Sequence, residues 1–203
     1  NGENFDMVGA PNLPDGWTST NESGGNNPWV TSSAQSSSAP NSAFAVDVPS
    51  VSLNSLVSPA FAIDSPNAKL FFDIYYNSES GFDGAVLEYS TNGGSNWSDI
   101  LSGGGTFVSG AYNSTLSTGW SNPLPGRQAW SGNSSGFIPV EINLNASFDG
   151  QNVMFRWRMG CDSSANATGI WVDNIDVEGV FTPTPTVTQT AGLPSGSEFP
   201  VGT

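Results

Sequence analysis

Apolar and polar residues alternate along this chain in short runs of period two, each bounded by clusters of Gly, Pro, Asn and Ser. That pattern predicts half-buried strands joined by turns. It is clearest over Ala68–Tyr76, where Leu70, Phe72, Ile74 and Tyr76 share one face and Phe71, Asp73 and Tyr75 the other. Further strands are predicted at Asn4–Val8, Ser42–Val48, Ser55–Ile63, Gly84–Ser90, Gly136–Leu144, Val153–Met159 and Gly169–Val177. A Ser/Asn/Gly-rich stretch, Ser19–Asn27, leads to the short apolar run Trp29–Thr31. Asn92-Gly93 between two strand-like runs predicts a tight hairpin, because Asn and Gly tolerate positive φ. Gly103–Gly136 has little periodicity, and a stretch that long is unusual unless it carries function.

The chain therefore reads as all-β, an antiparallel β-sandwich of jelly-roll type. Hydrophobic residues make up 36% of the 203, with seven Trp and twelve Phe, enough for a substantial core and too much for a disordered chain. The expected organisation is a sandwich over residues 1–180, a Pro/Thr-rich linker over 181–194, and a cloning-derived tail over 195–203. Linkers of that composition stay extended and tether modules, so the domain is expected to belong to a longer, secreted or surface-located chain.

Charge narrows the partners. Eighteen acids against four basic residues leave a formal charge of −14. Such a surface repels nucleic acid and anionic membranes, and no apolar run is long enough to insert. With no histidine and one cysteine, triad and zinc chemistry lack their residues, which argues against an enzyme. A carboxylate-pair glycosidase needs only two acids, but eighteen acids always furnish some pair. Cys161 has no disulfide partner in the chain and no neighbouring cation to activate it, so an inert thiol is expected.

Three groups of residues are candidate sites. Alternation places Asp173 with Trp171, Ile175 and Val177; if that face is buried, the carboxylate needs a metal or a proton. Asp6, in the first strand, and Asp47 follow apolar residues in the same way, and calcium suits carboxylate oxygens best. Turn capping, or pairing with Arg127, Arg156 or Arg158, is the competing role. In Phe155–Met159, Arg156 and Arg158 share a face that Asp73, Tyr75 and Glu88 could oppose. Such a face is either a structural ion-pair ladder or a sugar-binding surface. Trp120 and Trp130 flank the aperiodic region, as a ligand-contacting loop or as a loop packed over the sandwich end.

Several segments together resemble a jelly-roll module of large secreted bacterial proteins, similar in pattern to MAM domains and carbohydrate-binding jelly rolls. They are Asn4-Phe5-Asp6 with Gly16-Trp17, Ser42–Asp47, Leu56–Pro59, Gly81–Gly94, Asn122–Arg127, Phe155–Gly160 and Trp171–Ile175. Ser90–Trp97 also resembles the Asp-box hairpin, which is architectural in propellers. The resemblance implies an accessory, non-catalytic module that binds glycan or another surface component. It also implies a structural calcium held by acids of the first and last strands, at Asp6 and Asp173. A spacer without small ligand in a surface protein or filament is the alternative.

Overall fold

The computed structural model describes residues 2–181. Their strands are β1 (Gly2–Glu3), β2 (Thr18–Ser23), β3 (Val30–Ser32), β4 (Ser42–Val46), β5 (Ser52–Val57), β6 (Phe61–Ala62), β7 (Lys69–Asn77) and β8 (Gly84–Ser90). There follow β9 (Ser98–Asp99), β10 (Thr106–Ser109), β11 (Ser114–Thr115), β12 (Gln128–Ala129), β13 (Ile138–Asn143), β14 (Asn152–Cys161) and β15 (Gly169–Glu178). One 3-10 turn, Ala146–Phe148, is capped by the Asn145 side chain accepting from the Ser147 amide. The linker beyond Phe181 and the tail lie outside the described residues.

Two antiparallel sheets enclose one core. The first runs β10-β13-β7-β15-β4-β3, and β1 joins β15 beyond the end of β4, so first and last strands lie side by side. The second runs β2-β5-β14-β8-β9, with β6 continuing the β5 edge of β14. Leu70, Phe72, Ile74 and Tyr76 face inward from β7, as the alternation requires, and meet Phe155, Trp157 and Met159 of β14. Phe72 sits edge-on to both Trp157 and Trp130, centroids 5.3 and 5.7 Å away. Burying each such ring contributes about 1.5–3 kcal/mol.

The structure departs from the alternation in four places. Thr18–Ser23 is a strand, but an edge strand facing solvent along most of its length, so it carries no apolar period. Asn4–Val8 is not a strand, and β1 lies before it. Ser55–Ile63 breaks at Ser58 and Pro59, where the Ser58 hydroxyl accepts from the Phe155 amide and replaces a ladder bond. Lastly, β15 bulges at Asn174, whose φ is 49°, and the register against β7 slips by one residue between Asp173 and Asp176. The slip resets the parity. Ile170 and Val172 point inward before it and Ile175 and Val177 after it, so Asp173 does not share their face. It lies instead on the outer side with Trp171, which stacks between Phe44 (4.7 Å) and Tyr75 (4.9 Å).

The aperiodic segment divides: Thr106–Ser109 forms β10 at the edge of the first sheet, and the stretch from Ser114 to Ala129 folds over the outer face of the second. Leu116, Leu124 and Ala129 form a small second core with Leu53 and Val86 there.

Candidate functional site

Glu88 is the centre of the Arg156/Arg158 face. Register sets it directly opposite Arg156, and it is 4% exposed. Arg127 Nη1 donates to its Oε1 at 2.7 Å, Arg156 Nε to its Oε2 at 2.7 Å, and Arg158 Nη1 lies 3.3 Å away. Arg158 also pairs with Glu22 and Arg127 with Asp99, while Arg156 covers the Trp97 ring at 4.5 Å. Burial alone would raise the Glu88 carboxyl, but the Arg127 hydrogen bond and the charges of Arg158 and Arg156 outweigh it and hold it below the usual range. Three guanidinium groups meet three carboxylates, so the network is neutral and its donors are engaged by protein. That is the geometry of a structural ladder.

Asp73 and Tyr75 do not oppose those arginines. Their strand pairs with β13 and β15, which puts both residues on the outer face of the other sheet, across the core. There Asp73 Oδ2 accepts from Ser37 Oγ (2.7 Å) and Asn174 Nδ2 (2.9 Å).

Asp6 and Asp173 do come together, beside the β1–β15 pair. The Ser38 hydroxyl lies 3.5 Å from Asp6 Oδ2 and 3.4 Å from Asp173 Oδ1. Both carboxylates are already held by amides: Asp173 accepts from the backbone of Ser37, Ser38 and Asn174 at 2.7–2.8 Å, and Asp6 from Asn41 N at 2.9 Å and Asn4 Nδ2 at 2.8 Å. Burial still raises Asp173 above the usual carboxylate range. Asp47 is not part of this corner. It lies past the end of β4, where its Oδ2 accepts from Ala167 N at 2.9 Å and Glu79 N at 3.2 Å.

Trp130 is fully buried and donates its indole N–H to the Gly110 carbonyl, which removes it from any ligand surface. Trp120 is 63% exposed. Its backbone and that of Ser121 adopt φ of 60° and 66°, a conformation costly for side chains beyond Gly and Asn, so the loop around them must be firmly tied. Trp120 O accepts from Ser163 N at 3.2 Å, and Ser117 N donates to Gly81 O at 2.8 Å. The buried Asn122 amide bonds the carbonyls of Phe82 (2.6 Å) and Gly160 (3.1 Å). The Trp120 loop is thereby fastened to the β7–β8 and β14–β15 turns, at the sandwich end that also holds Asp47, Glu79, Asp83 and Asp162. These last three acids escaped the sequence reading. The available signal was topological: Asp47, Glu79 and Asp162 each follow a strand, and Asp83 precedes one.

Cys161 is buried beside this end, and burial pushes its thiol up to about 12. That fits the inert role expected from its sequence neighbours.

No protein-family model and no curated protein matches the chain. Solved structures do resemble it in fold. The K1 cleaved adhesin domain of Lys-gingipain from Porphyromonas gingivalis W83 superposes with a TM-score of 0.53 at 16% identity, covering 88% of this chain and 97% of that one. The K3 domain of the same protein gives 0.52 at 16% identity, over 87% and 97%. Likenesses at this identity establish the β-sandwich fold.

Proposed function

We propose that this chain is a non-catalytic extracellular module that binds a surface glycan through the end loop carrying Trp120. The observation that carries the reading is a 63% exposed indole on a loop whose backbone is tied to the neighbouring turns through Ser117, the Trp120 carbonyl and Asn122. An exposed ring on an anchored backbone can stack on a pyranose face at a reduced ordering cost, and the hydroxyl- and amide-rich surroundings supply hydrogen bonds. Similarity to domains named as adhesins supports the same reading, as does the lack of histidine for hydrolytic chemistry. The Arg156/Arg158 face serves stability.

Glycan-array screening followed by calorimetry tests this. A Trp120→Ala variant is expected to lose at least tenfold in affinity for whichever glycan the wild type binds, with unchanged melting temperature. Absence of binding to any glycan, or undiminished binding by the variant, overturns the reading and leaves the module as a spacer.

A further inference from the structure

Four acids converge at the loop end of the sandwich, from segments far apart in sequence. Three are almost completely buried: Asp47 and Asp162 are 1% exposed and Asp83 0%, with the half-buried Glu79 beside them. The three aspartates divide their oxygens alike. One oxygen is anchored by backbone amides: Asp47 Oδ2 by Ala167 and Glu79, Asp83 Oδ1 by Asp162 N at 2.6 Å, and Asp162 Oδ1 by Ser164 N at 2.8 Å. The other oxygen of each, together with Glu79 Oε2, is buried and receives no hydrogen bond. Bare buried carboxylate oxygens are costly and call for a cation or a shared proton, and a proton can serve only one pair of the four.

Among the described residues no cationic side chain is left to offer. All four Lys and Arg side chains are engaged elsewhere, Lys69 with Glu141 and the three arginines with Glu88, Glu22 and Asp99. Ligand chemistry indicates what fits. Glu79, Asp83 and Asp162 each present an oxygen within 4.8 Å of the others, close enough to reach one ion, and Asp47 and Asp83 stand equally close together beside Cys161. An all-carboxylate set suits calcium, a hard cation that takes about six to eight oxygen ligands in flexible geometry, whereas magnesium dehydrates reluctantly and is seldom held by an all-protein cage. The amide anchors hold each carboxylate in position before any ion arrives.

We propose that Asp83, Asp162 and Glu79, with Asp47, form a calcium site that ties together the β4–β5, β7–β8 and β14–β15 connections. This site is distinct from the Asp6/Asp173 corner and independent of any glycan. Bridging three connections, it braces the turns to which the Trp120 loop is fastened.

The test uses the whole chain, stripped with chelator and exchanged into metal-free buffer. Calorimetric titration with calcium chloride is expected to show saturable binding, and the melting temperature to rise on the order of 10 °C at a thousandfold excess over the dissociation constant. Glu79→Gln and Asp162→Asn should each weaken calcium binding at least tenfold. Glu79 is partly exposed, so its variant keeps the test open even if Asp162→Asn folds poorly. Asp6→Asn should leave the calcium response intact. No calcium binding by the stripped wild type overturns the proposal. So does a response that survives in both Glu79→Gln and Asp162→Asn, or one that is lost in a folded Asp6→Asn variant.

Discussion

Glu88 and the Asp47/Glu79/Asp83/Asp162 cluster are two solutions to the same problem, carboxylates buried in a strongly acidic protein. On the outer face of the second sheet, three arginines surround Glu88 and neutralise it. At the loop end no arginine or lysine arrives, and burial together with the neighbouring acids pushes Asp83 up to about 8. The Asp6/Asp173 corner is intermediate, since it solvates its charges with neutral donors: backbone amides, the Asn4 side chain and the Ser38 hydroxyl. With four basic side chains in all, the chain places three around one glutamate. The comparison teaches that a buried acid is a stabilising element or an unmet requirement according to which donors reach it, and sequence position alone does not say which.

Breaking the arginine-rich region should have the largest effect. Glu88→Ala leaves three half-buried guanidinium groups short of a counter-charge and should cost about 3 kcal/mol, the lower end for a broken buried pair because the arginines keep some solvent contact. Urea denaturation measures it, and a loss under 1 kcal/mol would show the network to be ornamental. Asp173→Ala comes next. It strips the acceptor from the Ser37, Ser38 and Asn174 amides and should cost about 2 kcal/mol by the same measurement. In metal-free buffer the loop end should respond with the opposite sign. Asp162→Asn relieves repulsion among oxygens within 4.8 Å and should stabilise the apo protein by about 1 kcal/mol, protonation having already relieved part of the strain. Destabilisation there would mean the four acids do not repel one another as the geometry requires.

The smallest effect is on acid stability. The Glu88 carboxyl is depressed in the folded protein relative to its ordinary value of 4.5. Its contribution is therefore fully present above that value and is lost as pH falls toward the lower native one. Glu88→Gln should flatten the acid limb of the stability curve below pH 4.5 and leave its slope at neutral pH unchanged.

Much of this fold was legible in the sequence. Gly84–Ser90 was read to the residue, and the strands β7, β14 and β15 were placed within two residues, because β7 and β14 alternate without interruption and β8 and β15 carry apolar runs bounded by turn residues. The β2 edge strand was invisible because nothing apolar marks a strand that faces water. Asp173 was assigned the face of Ile175 because a single left-handed residue, Asn174, reverses parity where every side chain still obeys the pattern locally. Asp73 and Tyr75 were set opposite Arg156 because period two specifies a face but not a sheet. The loop-end acids were missed because their proximity depends on strand direction. β4, β7 and β14 end where β8 begins, so residues up to 115 positions apart meet at one end, as Asp47 and Asp162 do.

The pairing of β1 with β15 has a mechanical consequence. Gly2 lies opposite Asp176 and Glu3 opposite Ile175, so the two ends of the sandwich emerge side by side. Chain attached on either side would hang the domain as a pendant instead of threading it end to end. Tension through such attachments reaches the β1–β15 bonds from one side and the Glu178 end of the β7–β15 ladder from the other, one rung at a time in peeling geometry, and two-residue β1 is the weaker of the two. A force-extension trace should therefore show a small early release for β1 before the main rupture.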